Sequence, residues 1–280
     1  MQISTSKLNS VLPLEKNEYK YLSPYIIKNK NIYNMFFCNR KSKSNFYGEI
    51  NIAESKDLDK WSLIKNVRIS PLKNGEYSSF ISPCIIQVKN NYYCFLEAQK
   101  PNQGSDIICF KSNNLIDWEI NNNFFIGKGN SLYQSPFVIQ IGSNIHLYYS
   151  VNKNNIIGVK LNENLEVINK FNCLKSELSN EAFQVYAPTI IYLNKVFIML
   201  YSAWASALEG NINTATSKDG IHWIKSKINI VSLDKNTSIV SEPFLFKKNN
   251  LIYIYYEYKK EKFWNISYFN IQSEQFLKII

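Results

Sequence analysis

Five equivalent positions, each directly before a proline, carry the side chains most able to take part in chemistry. They are Ser23, Ser82, Ser135, Ala187 and Glu242, and the prolines that follow them are 59, 53, 52 and 55 residues apart. Only the Glu242 carboxylate exchanges a proton near neutral pH, because a seryl hydroxyl ionises far above it. Glu242 is therefore the first acid/base candidate, and the three serines are candidates to hydrogen-bond a ligand.

Two further sets of positions follow each proline at fixed distances. Fourteen residues after the proline come Cys38, Glu97, Ser150, Ser202 and Glu257, and sixteen after it come Arg40, Gln99, Asn152, Trp204 and Lys259. Residues two apart in a strand share one face, and polar residues replace the hydrophobic run at this point in every repeat. The pattern predicts a polar funnel where these positions meet.

The chemistry of this rim singles out several residues. Glu97 is the second acid/base candidate. Arg40 can bind a hydroxyl or an anionic group, and Trp204 can stack on a flat apolar ring face. The remaining ligand-binding candidates are Glu257, at the end of a second strand, and Gln134 and Tyr186, which come just before the prolines of two inner strands.

The elements that must position these residues are strands. Each proline opens an apolar run, a polar turn and a second aromatic run, which together indicate a β-hairpin whose first strand begins near the proline. A third run follows in each repeat. Three repeats then carry a turn and a tryptophan, in Ser55 to Trp61, Ser112 to Trp118 and Ser217 to Trp223. These tryptophans are interpreted as packing residues of a fourth strand.

A unit of about 55 residues that recurs five times predicts an all-β fold, a five-bladed β-propeller with four-stranded antiparallel blades. The prediction is one domain over residues 1–280, with blades starting near residues 23, 82, 135, 187 and 242. Residues 1–22 are the candidate to close the ring, because the last blade has only a short fourth strand, Phe276 to Ile280. Glu209 and Gly210 are predicted to lie in a loop on the rim, where they would close over a ligand.

Composition and charge narrow the function classes. The net charge is +10, but the lysines are scattered as Lys-Asn pairs in turns, so nucleic acid is not expected as a partner. The five cysteines have no regular spacing and no His cluster accompanies them, so we expect no metal site and no cofactor. No signal-peptide core or membrane-length apolar run is present, and a cytoplasmic location without membrane association is expected.

The blade motif resembles a known superfamily. Over about residues 20–280, the proline-led strand, the aromatic hairpin and the Ser-x-Asp-Gly-x-x-Trp turn are similar to those of the five-bladed superfamily that includes families 43, 32, 68 and 130 of glycoside enzymes. The likeness is strongest in blade four, at Val185-Tyr186-Ala187-Pro188, Tyr201-Ser202-Ala203-Trp204 and Asn213 to Trp223.

The resemblance implies a sugar bound in the central funnel, with catalytic carboxylates at the inner-strand starts of several blades. Hydrolysis of a glycoside needs two carboxyl groups. In this sequence Glu242 is the one carboxylate among the five equivalent positions. The leading hypothesis is thus a protein that binds, or acts on, a sugar, a sugar phosphate or a nucleotide sugar, with Glu242 and Glu97 as acid/base pair. The alternative is a catalytically inactive propeller that serves as a sugar-binding or protein-interaction scaffold.

Overall fold

The computed structural model describes residues 3–4, 11–12, 19–41, 48–69, 76–101, 104–226, 228–232, 237–260 and 263–280. A short first strand, β1, spans Ile3–Ser4. Blade one consists of β2 (Tyr19–Asn29), β3 (Ile32–Lys41), β4 (Gly48–Ser55) and β5 (Ser62–Asn66). Blade two consists of β6 (Arg68–Ile69), β7 (Ser79–Val88), β8 (Asn91–Gln99), β9 (Ser105–Ser112) and β10 (Asp117–Ile126).

The other three blades follow in chain order. Blade three consists of β11 (Tyr133–Ile141), β12 (Asn144–Val151), β13 (Asn155–Leu161) and β14 (Val167–Lys175). Blade four consists of β15 (Gln184–Leu193), β16 (Val196–Ser206), β17 (Glu209–Ser217) and β18 (Ile224–Ser226). After β19 (Val231–Ser232), blade five consists of β20 (Thr237–Lys248), β21 (Leu251–Lys260) and β22 (Phe263–Gln272), and the chain ends in helix α1 (Ser273–Ile279).

The inner strands form a closed ring. Strands β2, β7, β11, β15 and β20 contact one another in that order, and β20 contacts β2. Within each blade, successive strands pair antiparallel, with β6 added in parallel at the outer edge of blade two. The predicted all-β propeller with antiparallel blades is therefore confirmed.

Every inner strand carries a β-bulge at its proline. In β2, for example, Leu22 pairs with Cys38 and Tyr25 pairs with Phe36, so Ser23 and Pro24 together face one residue. The residue before the proline has a left-handed φ in all five blades: 55° at Ser23, 51° at Ser82, 48° at Ser135, 51° at Ala187 and 45° at Glu242. Such backbone is uncommon outside glycine and turns the side chain away from the regular alternation of the strand.

The bulges correct one sequence prediction, that the prolines mark strand starts. The inner strands begin three to six residues before each proline. Proline is tolerated inside them because a bulge removes the need for a ladder hydrogen bond from its nitrogen. The residues before the bulge form the rim at which β3, β8, β12, β16 and β21 end, and this rim is called the mouth from here on.

Below the bulges, aromatic rings fill the channel. The ring of Tyr25 lies 4.7 Å from Phe244 and 6.3 Å from Phe137, measured between centroids. The Tyr25 hydroxyl donates to the carbonyl oxygen of Ile85 at 2.7 Å, which satisfies the one polar atom of this aromatic cluster. The channel is therefore closed by side chains on the side away from the mouth.

Two further sequence predictions are wrong. Phe276 to Ile279 lie in helix α1, and Ile280 is its C-cap, so this segment is not a fourth strand. Phe276 and Ile279, three residues apart, are both buried on one helix face. Glu209 and Gly210 belong to β17 rather than to a loop, because β16 and β17 pair up to the end of the hairpin.

The contacts of the N-terminal segment lie beside blades four and five. The backbone N–H of Val11 donates to the carbonyl oxygen of Ile266 in β22 at 3.0 Å, and β1 pairs in parallel with β19. The single-domain boundaries and the closing of the ring by residues 1–22 remain predictions. No helix among the described residues is long and apolar enough to cross a membrane.

Candidate functional site

The register of the inner hairpins brings the predicted rim positions together. The residue two before each proline pairs with the residue fourteen after it: Leu22 with Cys38, Ile81 with Glu97, Gln134 with Ser150, Tyr186 with Ser202, and Ser241 with Glu257. All five residues at the later position are buried. They lie next to the bulges, inside the mouth rather than on its outer surface.

Two of these buried side chains bind the bulge of the next blade. Glu97 accepts a hydrogen bond at Oε2 from the backbone N–H of Ser135 at 3.1 Å, and Ser202 accepts one at Oγ from the backbone N–H of Glu242 at 2.8 Å. A bulge takes its N–H out of the ladder, and a buried N–H needs another acceptor. The side chains of Glu97 and Ser202 therefore join neighbouring blades.

The Glu97 carboxylate is buried, and both of its oxygens accept hydrogen bonds from the protein. It is 1% exposed, and its Oε1 accepts from Gln99 Nε2 at 3.0 Å. Its proposed acid/base role thus requires a ligand to reach a carboxylate that two protein donors already occupy. The carboxylate of Glu242, by contrast, is half-buried and lines the central cavity.

Hydrogen bonds connect three of the five residues before the prolines. Ser23 Oγ and Ser82 Oγ are 3.3 Å apart, and Ser82 Oγ donates to Glu242 Oε2 at 3.5 Å. Ser135 and Ala187 complete the ring, which encloses a cavity of about 30 Å3. Such a volume holds one or two water molecules, so the ring of any larger ligand would lie above this level.

The neighbours of Glu242 come from blades four and five. Burial raises the pKa of the Tyr186 hydroxyl well above its ordinary value, and the negative charges of Glu257 and Glu242 raise it further. Tyr186 is therefore a hydrogen-bond donor at every physiological pH. Glu257 is 4% exposed, and its Oε1 accepts a hydrogen bond of 2.5 Å from Ser241 Oγ. The mouth thus concentrates two carboxylates on one side of the channel.

Aromatic rings extend this side of the mouth outward. The Trp204 ring lies edge-on to Tyr186, with 5.9 Å between centroids. It is nearly parallel to Trp264, at 6.4 Å and 10°, and to Phe183, at 6.3 Å and 20°. Gly210 packs against Trp204, because a Cβ there would come within 2.7 Å of the indole nitrogen.

The structure brings most of the predicted site residues to one mouth. Ser23, Ser82 and Glu242 are linked by hydrogen bonds, Tyr186 connects Glu242 and Glu257 with Trp204, and Glu97 contacts Ser135. Gln134 is half-buried, opposite Ser150. Arg40 pairs through its backbone with Lys20, but its side chain lies outside the described residues.

Three residues of this site were missed from the sequence: Ser241, Phe183 and Trp264. Trp264 is the second residue of β22, the third strand of blade five, so the rule that third strands start at the mouth would have identified it. Phe183 comes just before β15, where no repeat marks it. Within the described part of the chain, no group of three His, Cys, Asp or Glu side chains is placed to hold a metal ion.

The comparisons with known proteins give the fold. A thermostable family-43 glycoside hydrolase matches with a TM-score of 0.75 and 16% identity, over 94% of this chain and 92% of its own. An endo-arabinase from Bacteroides thetaiotaomicron VPI-5482 matches with a TM-score of 0.73 and 17% identity, over 94% and 97% of the two chains. An α-L-arabinanase from Cellvibrio cellulosa, complexed with arabinohexaose, matches with a TM-score of 0.71 and 13% identity, over 91% and 92%.

No family model matches the sequence, and the search of curated proteins finds no match either. Identities of this size establish shared architecture rather than shared chemistry. The chain has the fold of the family-43 glycoside hydrolases, and the resemblance stated from the sequence is confirmed at the level of fold.

Proposed function

We propose that this protein binds a carbohydrate at the mouth of its channel, on the side formed by blades four and five. One observation carries the proposal: Glu242, Tyr186 and Trp204 form a continuous series from the channel floor to the rim. A carboxylate accepts hydrogen bonds from sugar hydroxyls, and an indole ring covers the apolar face of a sugar. The five-bladed relatives that are named as arabinanases and glycoside hydrolases support this ligand class.

The first ligands to test are oligosaccharides of the arabinan and galactan types, because the similar structures include an endo-arabinase and a β-1,3-galactosidase. Sugar phosphates and nucleotide sugars belong to the same panel, since Arg40 lies at the end of β3 on the mouth. Isothermal titration calorimetry should find one class that binds. The Glu242→Gln variant should bind that ligand at least about 10-fold more weakly, because a hydrogen bond to a charged group contributes about 1.5–3 kcal/mol.

The matched control is Glu209→Gln, which removes an exposed carboxylate at the start of β17. It should leave the affinity unchanged. If Glu242→Gln and Glu209→Gln weaken binding equally, the ligand senses only the overall charge of the mouth and the proposed site is wrong. Absence of binding by any carbohydrate of the panel would contradict the function itself and favour a scaffold that binds proteins.

Glycoside hydrolysis is the second candidate, favoured by the two carboxylates that act on Tyr186. Hydrolysis needs an acid and a base or nucleophile on either side of the scissile bond. Glu242 would be one of them. Glu257 is the partner that the contacts of Tyr186 support, beside the sequence-based candidate Glu97. Release of reducing ends from the bound oligosaccharide would establish turnover, and Glu257→Gln and Glu97→Gln would show which partner abolishes it without abolishing binding.

A further inference from the structure

Three aromatic side chains form a staircase along the mouth, from the start of blade four to blade five. Phe183, Trp204 and Trp264 are nearly parallel and follow one another at 6.3 and 6.4 Å between centroids. Phe183 is 41% exposed, and both tryptophans are half-buried. Large rings that are kept at a rim rather than in the core indicate a surface that covers an apolar ligand face.

Lysine residues lie at both ends of this staircase. Lys153 Nζ lies 5.5 Å from the centroid of Phe183, and Lys259 pairs with Trp264 across β21 and β22. Neither lysine forms an ion pair with a carboxylate among the residues that the structure describes. Lys100, which occupies the position of Lys153 in blade two, differs, because Asp106 neutralises it at 2.7 Å. The two staircase lysines therefore leave positive charge beside Phe183 and Trp264, the two outer rings.

The middle ring of the staircase, Trp204, lies nearest to the channel, where the charge is opposite. Trp204 contacts Tyr186, whose pKa is raised by burial and by the carboxylates of Glu257 and Glu242. A ligand that extends from the channel along the rings thus passes from carboxylates to ammonium groups. This polarity fits a chain with a neutral unit inside and a negatively charged unit outside, because like charges side by side are costly.

We propose that the staircase is an outer subsite that binds an anionic sugar residue of an oligosaccharide, with its ring on Trp264 or Phe183 and its charge at Lys153 or Lys259. The charge is a uronate carboxylate or a sulfate ester. The inference rests on the proposed carbohydrate site and adds its ligand class. Single-stranded nucleic acid would also stack on aromatic rings, but its continuous phosphate chain would meet the carboxylates of Glu242 and Glu257 where the staircase approaches the channel.

The test measures tryptophan fluorescence and calorimetric affinity for four probes: trigalacturonate, a monosulfated galactotriose, neutral galactotriose and oligothymidylate. One of the two acidic trisaccharides should bind about 10-fold more tightly than galactotriose at low salt, and most of this advantage should be lost near 0.5 M salt, where charges are screened. The better of the two identifies the anionic group.

Three variants locate the subsite. Phe183→Ala and Trp264→Ala should each lower the affinity for the acidic trisaccharide about 5- to 10-fold, as expected for the loss of one stacking or hydrogen-bonded contact. Lys153→Gln should lower the affinity for the acidic trisaccharide and leave the affinity for galactotriose unchanged. The controls are Tyr192→Ala and Lys218→Gln, which remove an exposed aromatic ring and an exposed lysine at the opposite end of blade four. Neither control should change the affinity for any probe. Phe183 is exposed, so its variant keeps the test valid if Trp264→Ala fails to fold.

The outcomes separate the two proposals. If galactotriose binding depends on Glu242 but no probe depends on Phe183, Trp264 or Lys153, the outer subsite is wrong and the carbohydrate site stands. If no trisaccharide binds, the outer subsite is wrong, and binding of another member of the panel described above would show that the carbohydrate site stands without it. Tighter binding of oligothymidylate than of either acidic trisaccharide would overturn the subsite in favour of nucleic acid.

Discussion

At the end of the blades away from the mouth, one turn recurs in blades one, two and four, whereas the mouth differs from blade to blade. In the recurring turn a serine Oγ accepts the backbone N–H three residues later, at 2.9 Å from Ser55 to Leu58, 3.0 Å from Ser112 to Leu115 and 2.9 Å from Ser217 to Gly220. The residue that donates this N–H has a left-handed φ each time: 75° at Leu58, 67° at Leu115 and 76° at Gly220.

The next residues of this turn repeat as well. Asp57, Asn114 and Asp219 each accept, at Oδ1, the backbone N–H three residues on, at 2.9, 2.9 and 2.8 Å. The indole N–H groups of Trp118 and Trp223 donate to the carbonyl oxygens of Leu115 and Gly220, at 3.0 and 3.1 Å. The partners in these hydrogen bonds lie three residues apart, so local sequence specifies the shape of the turn. Tyr255 and Tyr148 of other blades then donate to the carbonyl oxygens of Leu58 and Gly220, at 2.5 and 2.7 Å.

At the mouth, by contrast, the partners come from different blades. Glu97 binds the bulge of blade three, Ser202 binds that of blade five, and Ser82 reaches Glu242 across 160 residues. Repeated local turns build the blades, and contacts between blades build the site. The comparison teaches that the mouth can change its chemistry blade by blade while the turn end maintains the fold.

The buried carboxylate of Glu181 connects several segments at the mouth end. Its side chain accepts hydrogen bonds from Tyr201 at 2.7 Å and Lys225 at 2.6 Å, and from the backbone N–H groups of Glu177 and Leu178 at 2.9 and 3.1 Å. Burial acts to raise the pKa of Glu181, but the donors from Glu177, Lys225 and Tyr201 lower it, and the net direction is downward.

The largest effect is expected from Glu181→Gln. It should lower the free energy of unfolding by about 3–5 kcal/mol, because Lys225 loses its buried partner. The control is Glu177→Gln, whose carboxylate is exposed and lies 3.8 Å from the same lysine; it should cost less than about 1 kcal/mol. Urea denaturation measures both. Equal losses of unfolding free energy in the two variants would mean that the buried Glu181 carboxylate does not stabilise the mouth end. The contrast with the turn end would then be wrong.

A smaller effect is expected from Ser217→Ala at the turn end. The variant removes the acceptor of the Gly220 and Asp219 backbone N–H groups, which should cost about 1 kcal/mol of stability. Ligand affinity should not change, because the turn lies at the opposite end of blade four from the mouth. Lys218→Ala, in the same turn, controls for the loss of a side chain. A loss of ligand affinity in folded Ser217→Ala would break the division between the two ends.

The smallest effect concerns pH. The backbone N–H groups of Lys60 and Asp59 lower the pKa of Asp57 to about 2. A carboxyl group whose folded pKa lies below its unfolded value, near 4, stabilises the protein above pH 4 and loses this contribution as the pH falls towards 2. Asp57→Asn keeps the turn, since Asn114 makes the same contacts in blade two. The stability difference between wild type and Asp57→Asn should therefore shrink between about pH 5 and pH 2, and a constant difference would contradict the role of the charge.

Much of the fold could be predicted because its signals are periodic. The prolines, the polar hairpin turns and the serine-led turns recur at a fixed spacing, and each reports a local backbone requirement. The errors arose where a residue type has more than one structural meaning. The bulges moved the strand starts upstream of the prolines, and Phe276 to Ile280 follow a helical rather than a strand spacing.

By itself, the sequence determined the five inner hairpins, the residues before the prolines and the rim positions fourteen residues after them, because pairing within a hairpin follows from chain order and turn length. Only the tertiary structure decided which of those residues meet. In the folded ring, Ser23 and Ser82 are hydrogen-bonded to each other and on to Glu242, and Glu97 binds the bulge of blade three. Phe183 and Trp264 lie nearly parallel to Trp204. Except for the contact of Phe183 with Trp204 within blade four, these contacts cross from blade to blade. No spacing along the chain encodes them, because they depend on how the ring closes and how each bulge turns its side chain.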